Sequence, residues 1–156
     1  MDRIRFEVST NPGQPFGPLN KIASGGELSR FLLALKVALK KADPVPTLIF
    51  DEVDAGIGGA TADAVGERLQ RLSQNVQILA VTHSPQVAAR ANDHWVIRKE
   101  THNSRAVTGA SRLAPDARQE EIARMLSGAT ITREAQAAAA RLLGHDAPPK
   151  RRQSKG

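Results

Sequence analysis

The sequence contains no cysteine, which excludes disulfides and thiolate metal sites and is neutral to mildly favourable for a cytosolic setting. It has no apolar run long enough to span a membrane and no secretory signal pattern. No heptad segment and no internal repeat occur. Its four histidines, His83, His94, His102 and His145, lack the spacing of a zinc site. Charge of one sign is not extreme: 22 Lys and Arg against 16 Asp and Glu leave +6, part of it in the last few residues. That balance permits nucleic-acid or other anionic partners without requiring them. The 156 residues suit one domain able to bury a substantial core.

The most informative stretch is Ala23-Ser24-Gly25-Gly26-Glu27-Leu28-Ser29-Arg30. Ser24 followed by Glu27 is a capping box, which starts a helix. Leu28, Phe31, Leu32, Leu35 and Leu39 then follow at helical spacing, and Asp43-Pro44 stops the helix near Ala42. Gly25 and Gly26 bare backbone N–H groups at the helix N-terminus, where phosphate is favoured. An ordinary capped helix after a loop reads the same octet equally well.

Around it the chain alternates between strand and helix. Arg3 to Ser9 alternates as a half-buried strand, and Asn11-Pro12-Gly13 turns. Thr47-Leu48-Ile49-Phe50 is apolar throughout and suits a central parallel strand covered on both faces. Gly56, Gly58 and Gly59 mark a loop before a helix with Ala62, Val65, Leu69 and Leu72 on one side. Val76 to Val81 reads as a second buried strand. Ser84-Pro85 opens a short helix to about Ala91, by N-cap and proline. Trp95 to Ile97 is a third strand, with a less defined one around Ala106 to Leu113. Two helices, about Asp116 to Leu126 and Thr132 to Leu143, close the fold. The pattern predicts an α/β sheet with parallel members.

Two further features carry chemistry. Asp51 and Glu52 end a buried strand at its carboxyl end, where open α/β sheets bind ligands. Asp51 there can hold Mg²⁺ through water, and Glu52, on the other side of the strand, can orient an attacking water. Acidic residues also end strands merely to begin a loop. His83 follows the next strand, so neighbouring parallel strands bring its imidazole close to Glu52. A lone histidine is more often structural, but this one stands at a strand's carboxyl end within Val81-Thr82-His83-Ser84.

Ser24-Gly25-Gly26-Glu27 resembles the signature motif of the ATP-binding-cassette (ABC) ATPases. Leu48-Ile49-Phe50-Asp51-Glu52 resembles their Walker B strand, Asp54 falls in the D-loop position, and His83 matches the switch histidine. Asp51-Glu52-Val53-Asp54 is the form shared by the branch that includes the structural-maintenance-of-chromosomes (SMC) proteins. Ser9 to Gly13, Ala23 to Arg30, Asp51 to Gly59 and Thr82 to Ala88 together resemble the RecN family of bacterial DNA repair proteins. The likeness runs from about Phe6 to Leu143. It implies the C-terminal lobe of a P-loop NTPase head of ABC type over residues 1–143, a mostly parallel sheet flanked by helices. Residues 144–156, with Pro148, Pro149, Lys150, Arg151, Arg152 and Lys155, are expected to form a disordered basic tail.

One departure matters most. No Gly-x-x-x-x-Gly-Lys-Ser/Thr phosphate loop (Walker A) occurs. In the family that loop lies in an N-terminal lobe beyond a long coiled coil, so this chain reads as part of a head and is expected to be inactive by itself. The resemblance implies ATP and Mg²⁺ as cofactors, with Asp51 at the metal, Glu52 and His83 catalytic, and Asp54 coupling two sites. Ser24, Gly25, Gly26 and Glu27 would contact ATP of a partner head. Implied partners are the Walker A lobe, a second head in an ATP-sandwiched homodimer, and DNA. The implied task is recombinational repair of double-strand breaks, in the bacterial cytoplasm at the nucleoid and without a membrane. Two alternatives stand beside it: a binding or regulatory module that docks on a full-length head, and a transporter ATPase fragment. Val53 in place of proline, and the absence of glutamine after Gly26, argue against the transporter.

Overall fold

The computed structural model describes residues 7–9, 13, 15–18, 25–39, 45–102 and 105–145. The chain divides into two compact units, Met1–Ala91 and Asn92–Gly156.

In the first unit, β1 (Glu7–Val8) pairs antiparallel with β2 (Gly17–Pro18). The remainder of the strand expected from Arg3 lies largely outside the described residues. The signature helix is α1 (Gly25–Ala38); Ser24 and residues 40–44 also lie outside them. Its packing corrects the expected stripe. Gly26 and Leu33 are buried and Val37 packs against the core, while Leu28, Leu32 and Leu39 are exposed. The helix is apolar on more than one face, so a 3.6-residue period selects no unique stripe. Polar ties from Ser29 to the last residue of the next strand and from Arg30 to the loop after it decide which face turns inward.

That next strand, β3 (Thr47–Asp51), pairs in parallel with β4 (Gln77–Val81), in register from Thr47↔Gln77 to Asp51↔Val81. The crossover is α2 (Gly59–Leu72), which buries Ala62, Val65, Gly66, Leu69 and Leu72, the expected face. After β4 comes α3 (Pro85–Arg90), capped by Ser84, whose side chain accepts from the Val87 N–H at 3.4 Å. Leu33, Phe50, Val53 and Val87 join the buried residues of α2 in one core. The expected double coverage of β3 is met on one face alone. Leu48 and Ile78 pack on the core beside buried Phe50, whereas Ile49 is 70% exposed, Leu79 49% and Val81 55%. Parallel sheets are normally covered on both faces, so a bare apolar face is the exception that calls for a partner.

The second unit opens with a hairpin, β5 (Trp95–His102) and β6 (Arg105–Arg112), paired antiparallel from Trp95↔Arg112 to His102↔Arg105. The strand expected at Trp95 and the less defined one near Ala106 are thus two arms of one ribbon. Two helices follow, α4 (Pro115–Ser127) and α5 (Arg133–Leu142). Thr132 caps α5 by accepting from the Ala135 N–H at 3.1 Å. Ile122, Ala123, Ala135 and Ala139 are the buried residues of this pair. The basic tail lies outside the described residues from 146 onwards. No helix among the described residues is long and apolar enough to cross a membrane.

Candidate functional site

The parallel register sets Asp51 beside Val81, so the carboxyl ends of β3 and β4 open side by side. Asp51-Glu52 and Thr82-His83 therefore leave the sheet at one edge, as ligand-binding loops do in open α/β folds. Glu52 is not on the strand, contrary to the expectation that it would occupy the opposite face from Asp51. It turns off with φ 55°, the one non-glycine positive φ among the described residues. A left-handed glutamate costs on the order of 1–3 kcal/mol and persists only where its surroundings enforce it.

The surroundings are specific. The Glu52 carbonyl accepts from the Ala55 N–H at 3.0 Å, closing a turn, and Val53 is 0% exposed, pinning that turn into the core. The first turn of α1 then sits on it. Ser29 Oγ donates to the Asp51 carbonyl at 3.0 Å, and Arg30 Nη1 donates to the carbonyls of Val53 at 3.3 Å and Ala55 at 2.8 Å. A β-carbon at Gly26 would stand 3.0 Å from Ala55 Cβ, Arg30 Nη1 and the Glu52 carbonyl, so only glycine fits there. At Gly25 a β-carbon would stand 3.5 Å from Glu52 Oε2. Gly26 thus lets the start of α1 come against the Glu52 backbone, while Gly25 lies beside the Glu52 carboxylate at a spacing that a β-carbon would tolerate.

Asp54 joins this turn to the loop after β4. Its Oδ2 accepts from Thr82 Oγ1 at 2.5 Å and from the Ser84 N–H at 2.9 Å. The same N–H lies 3.0 Å from Thr82 Oγ1, and Ser84 Oγ donates to Gln86 Oε1 at 2.9 Å. His83 is thereby held between two bonded neighbours with its own side chain exposed. Further along, Arg90 of α3 grips Asp63 of α2 through two bonds, Nε–Oδ1 at 2.8 Å and Nη2–Oδ2 at 2.9 Å. The hydrogen bond from Arg90 holds the Asp63 carboxyl below its ordinary value, with partial desolvation opposing.

Asp51, Glu52, Asp54, His83, Gly25 and Gly26 therefore gather on one turn, the loop beside it and the helix seated upon it. Glu27 lies in the first turn of α1, and Ser24 lies outside the described residues. Among the described residues no cluster of three or more His, Asp or Glu could cage a metal. Asp51 is exposed, as is Glu52 beside it, and one carboxylate of this kind suits an ion such as Mg²⁺, which keeps its waters and takes phosphate oxygens. Arg30, Ser29, Thr82 and the Asp63–Arg90 pair were not legible as site-builders. The available signal was an arginine on the same helical face as Leu33 and Val37, where a charge needs a stated partner.

Comparison with known proteins places the chain. The family model for the RecF/RecN/SMC N terminal domain matches residues 19–106. DNA repair protein RecN of Xylella fastidiosa strain Temecula1 is 54% identical over 142 residues, covering 91% of this chain and 26% of that protein. RecN of Treponema pallidum is 48% identical over 142 residues, covering 91% and 25%. RecN of Deinococcus radiodurans is 52% identical over 127 residues, covering 81% and 22%. The chain thus spans about a quarter of the length of these relatives. Two solved structures share its fold. One, from work on ATP-driven dimerization and DNA-stimulated activation of SMC ATPases, has a TM-score of 0.52 at 21% identity, covering 76% of this chain and 70% of that one. The other, the Smc head domain with a coiled coil and joint from Pyrococcus yayanosii, has a TM-score of 0.53 at 23% identity, covering 70% and 20%. The chain therefore has the fold of SMC ATPase heads and belongs to the RecF/RecN/SMC family, the relatives named above being RecN proteins.

Proposed function

We propose that this chain is the C-terminal lobe of a RecN-like ATPase head that serves the repair of DNA double-strand breaks. The observation that carries the reading is the single turn Asp51–Ala55, on which the signature helix is seated and to which the His83 loop is bonded. The bare face of Ile49, Leu79 and Val81 supports it further, because a second lobe bearing the phosphate loop would cover it.

Within that reading each residue has a task. Asp51 would hold Mg²⁺, which when bound offsets phosphate charge. Glu52, displaced from the strand by its left-handed backbone, orients the attacking water and receives its proton. His83 contacts the γ-phosphate from the adjoining loop. Asp54 links the turn to that loop. Ser24, Gly25, Gly26 and Glu27 present a helix N-terminus to the ATP of a second head, where anionic oxygens are favoured. Catalysis of this type rests on positioning and electrostatics. ATP closes two heads and hydrolysis releases them, as the family relation to ATP-driven dimerization suggests. DNA is the proposed partner and the bacterial nucleoid the proposed place of action, a reading supported by relatives named as DNA repair proteins.

A Walker A motif is absent from these 156 residues, which also favours a second reading, a non-catalytic module docking on a complete head. Nucleotide turnover separates the two. The purified chain is expected to bind ATP weakly and not to hydrolyse it. A polypeptide joining it to a phosphate-loop lobe is expected to hydrolyse ATP and dimerise with it. Ser24→Arg in that longer protein should abolish ATP-dependent dimers in sedimentation while nucleotide binding persists. Unchanged dimers would refute the trans-acting role, and a joined protein without turnover would favour the module.

A further inference from the structure

Among the described residues the His83 side chain makes no hydrogen bond; its position follows from its bonded neighbours Thr82 and Ser84 and from α3, which begins two residues later. That helix has six residues, too few to be stable alone. Its N-terminus is fixed by the Ser84 cap and the Asp54 carboxylate. Val87 and Ala88, each 4% exposed, seat its inner side within the first unit, Val87 in the same core as Val65 and Leu69 of α2. A tied N-terminus and packing of this kind set depth but leave the far end of so short a helix free to swing and roll. The two-bond Arg90–Asp63 pair removes that freedom, since a planar guanidinium meets a carboxylate in one orientation. Gly66 completes the fit: a β-carbon there would stand 2.9 Å from Arg90 Cγ and 3.2 Å from Val87 Cα. Magnitude argues against a stability role for the pair. Both side chains are 40% exposed, and exposed pairs contribute roughly 0–1 kcal/mol.

We propose that Asp63, Gly66 and Arg90 form a lock between α2 and α3 that positions His83 over the Asp51–Glu52 edge. They are positioning residues, and their part in hydrolysis rests on the ATPase reading above. Loosening the lock leaves the fold in place and moves His83.

The test has two readouts. In the 156-residue chain, the His83 ring cross-peak is followed by NMR in Arg90→Ala, Gly66→Ala and the charge swap Asp63→Arg with Arg90→Asp. The first two are expected to shift it within an otherwise retained spectrum, and the swap to return it toward its original place. Should Arg90→Ala fail to fold, Arg90→Lys keeps charge and length without the fork and is expected to give the same shift. In the longer protein with a phosphate-loop lobe, Arg90→Ala should lower kcat by about ten- to a hundredfold with KM for ATP little changed. An unmoved His83 cross-peak in every variant overturns the lock, as does an unchanged kcat where Glu52→Gln abolishes turnover. If Glu52→Gln itself leaves hydrolysis intact, the ATPase reading falls and the cross-peak alone decides the lock.

Discussion

The two units differ in what their polar side chains hold. In Met1–Ala91, Ser29, Arg30, Asp54 and Thr82 bind loop groups 22 to 30 residues away, all at one edge of a parallel strand pair. In Asn92–Gly156 the ion pairs are of another kind. Arg124 bonds Glu121 one helical turn away, and Arg112 bonds Asp93 next to the hairpin's own first strand. The first arrangement fixes loops that a sheet would otherwise leave free; these two ion pairs of the second join groups already set by the hydrogen bonds of their own helix or hairpin. The second unit has a bond of the first kind as well, from Arg118 Nη1 to the Asn92 carbonyl at 3.3 Å; what sets the first unit apart is that several such bonds converge on one strand edge.

The comparison can be broken first at the cores. Leu33→Ala should destabilise the first unit by about 2–5 kcal/mol, read by urea denaturation, because Leu33 is 2% exposed beneath the site. A small loss would mean that α1 is not seated as described. A sharper contrast comes from matched caps. Ser84→Ala and Thr132→Ala each remove a side-chain bond to a helix N–H and should cost about 0.5–2 kcal/mol. Only Ser84→Ala should also shift the His83 cross-peak. Equal shifts from both would erase the distinction between the units.

Acidity gives a third, smaller handle. His94 is partly buried with Nδ1 unbonded among the described residues, and burial, then Arg118, lowers its pKa from 6.5 while Glu121 opposes. The unfolded chain therefore takes up the proton first as pH falls. The stability of the neutral form is full above pH 6.5 and is lost as pH drops through the folded value. His94→Gln should flatten that slope in hydrogen exchange of the second unit, and an unchanged slope would assign it elsewhere. The smallest effect is expected at Glu67→Ala. It breaks an exposed Arg71 pair one turn away on α2, worth about 0.3–0.5 kcal/mol by thermal denaturation.

Much of the candidate edge was legible because its parts are local. A strand ending in Asp51-Glu52, a glycine pair opening a helix and a Ser84-Pro85 cap each declare themselves within a few residues. The buried face of α2 was legible for the same reason, since Ala62, Val65, Leu69 and Leu72 stand on one clear stripe. The inward face of α1 was not. Leucines surround that helix, and the choice among them is made by Arg30 reaching carbonyls 23 and 25 residues away. The left-handed turn at Glu52 was hidden too, because glutamate carries no sign of positive φ. The bare face of β3 and β4 reads in sequence as a covered one, since apolar strands look alike whether or not the chain supplies both layers.

The most direct measurement is single-turnover ATP hydrolysis by a protein that joins this lobe to its phosphate-loop counterpart, before and after Glu52→Gln. The account predicts that the substitution slows hydrolysis by about 10²–10⁴-fold while ATP remains bound and the heads remain paired. Hydrolysis at the original rate would contradict the role of Glu52, and with it the reading of the Asp51–Ala55 turn as the centre of the site.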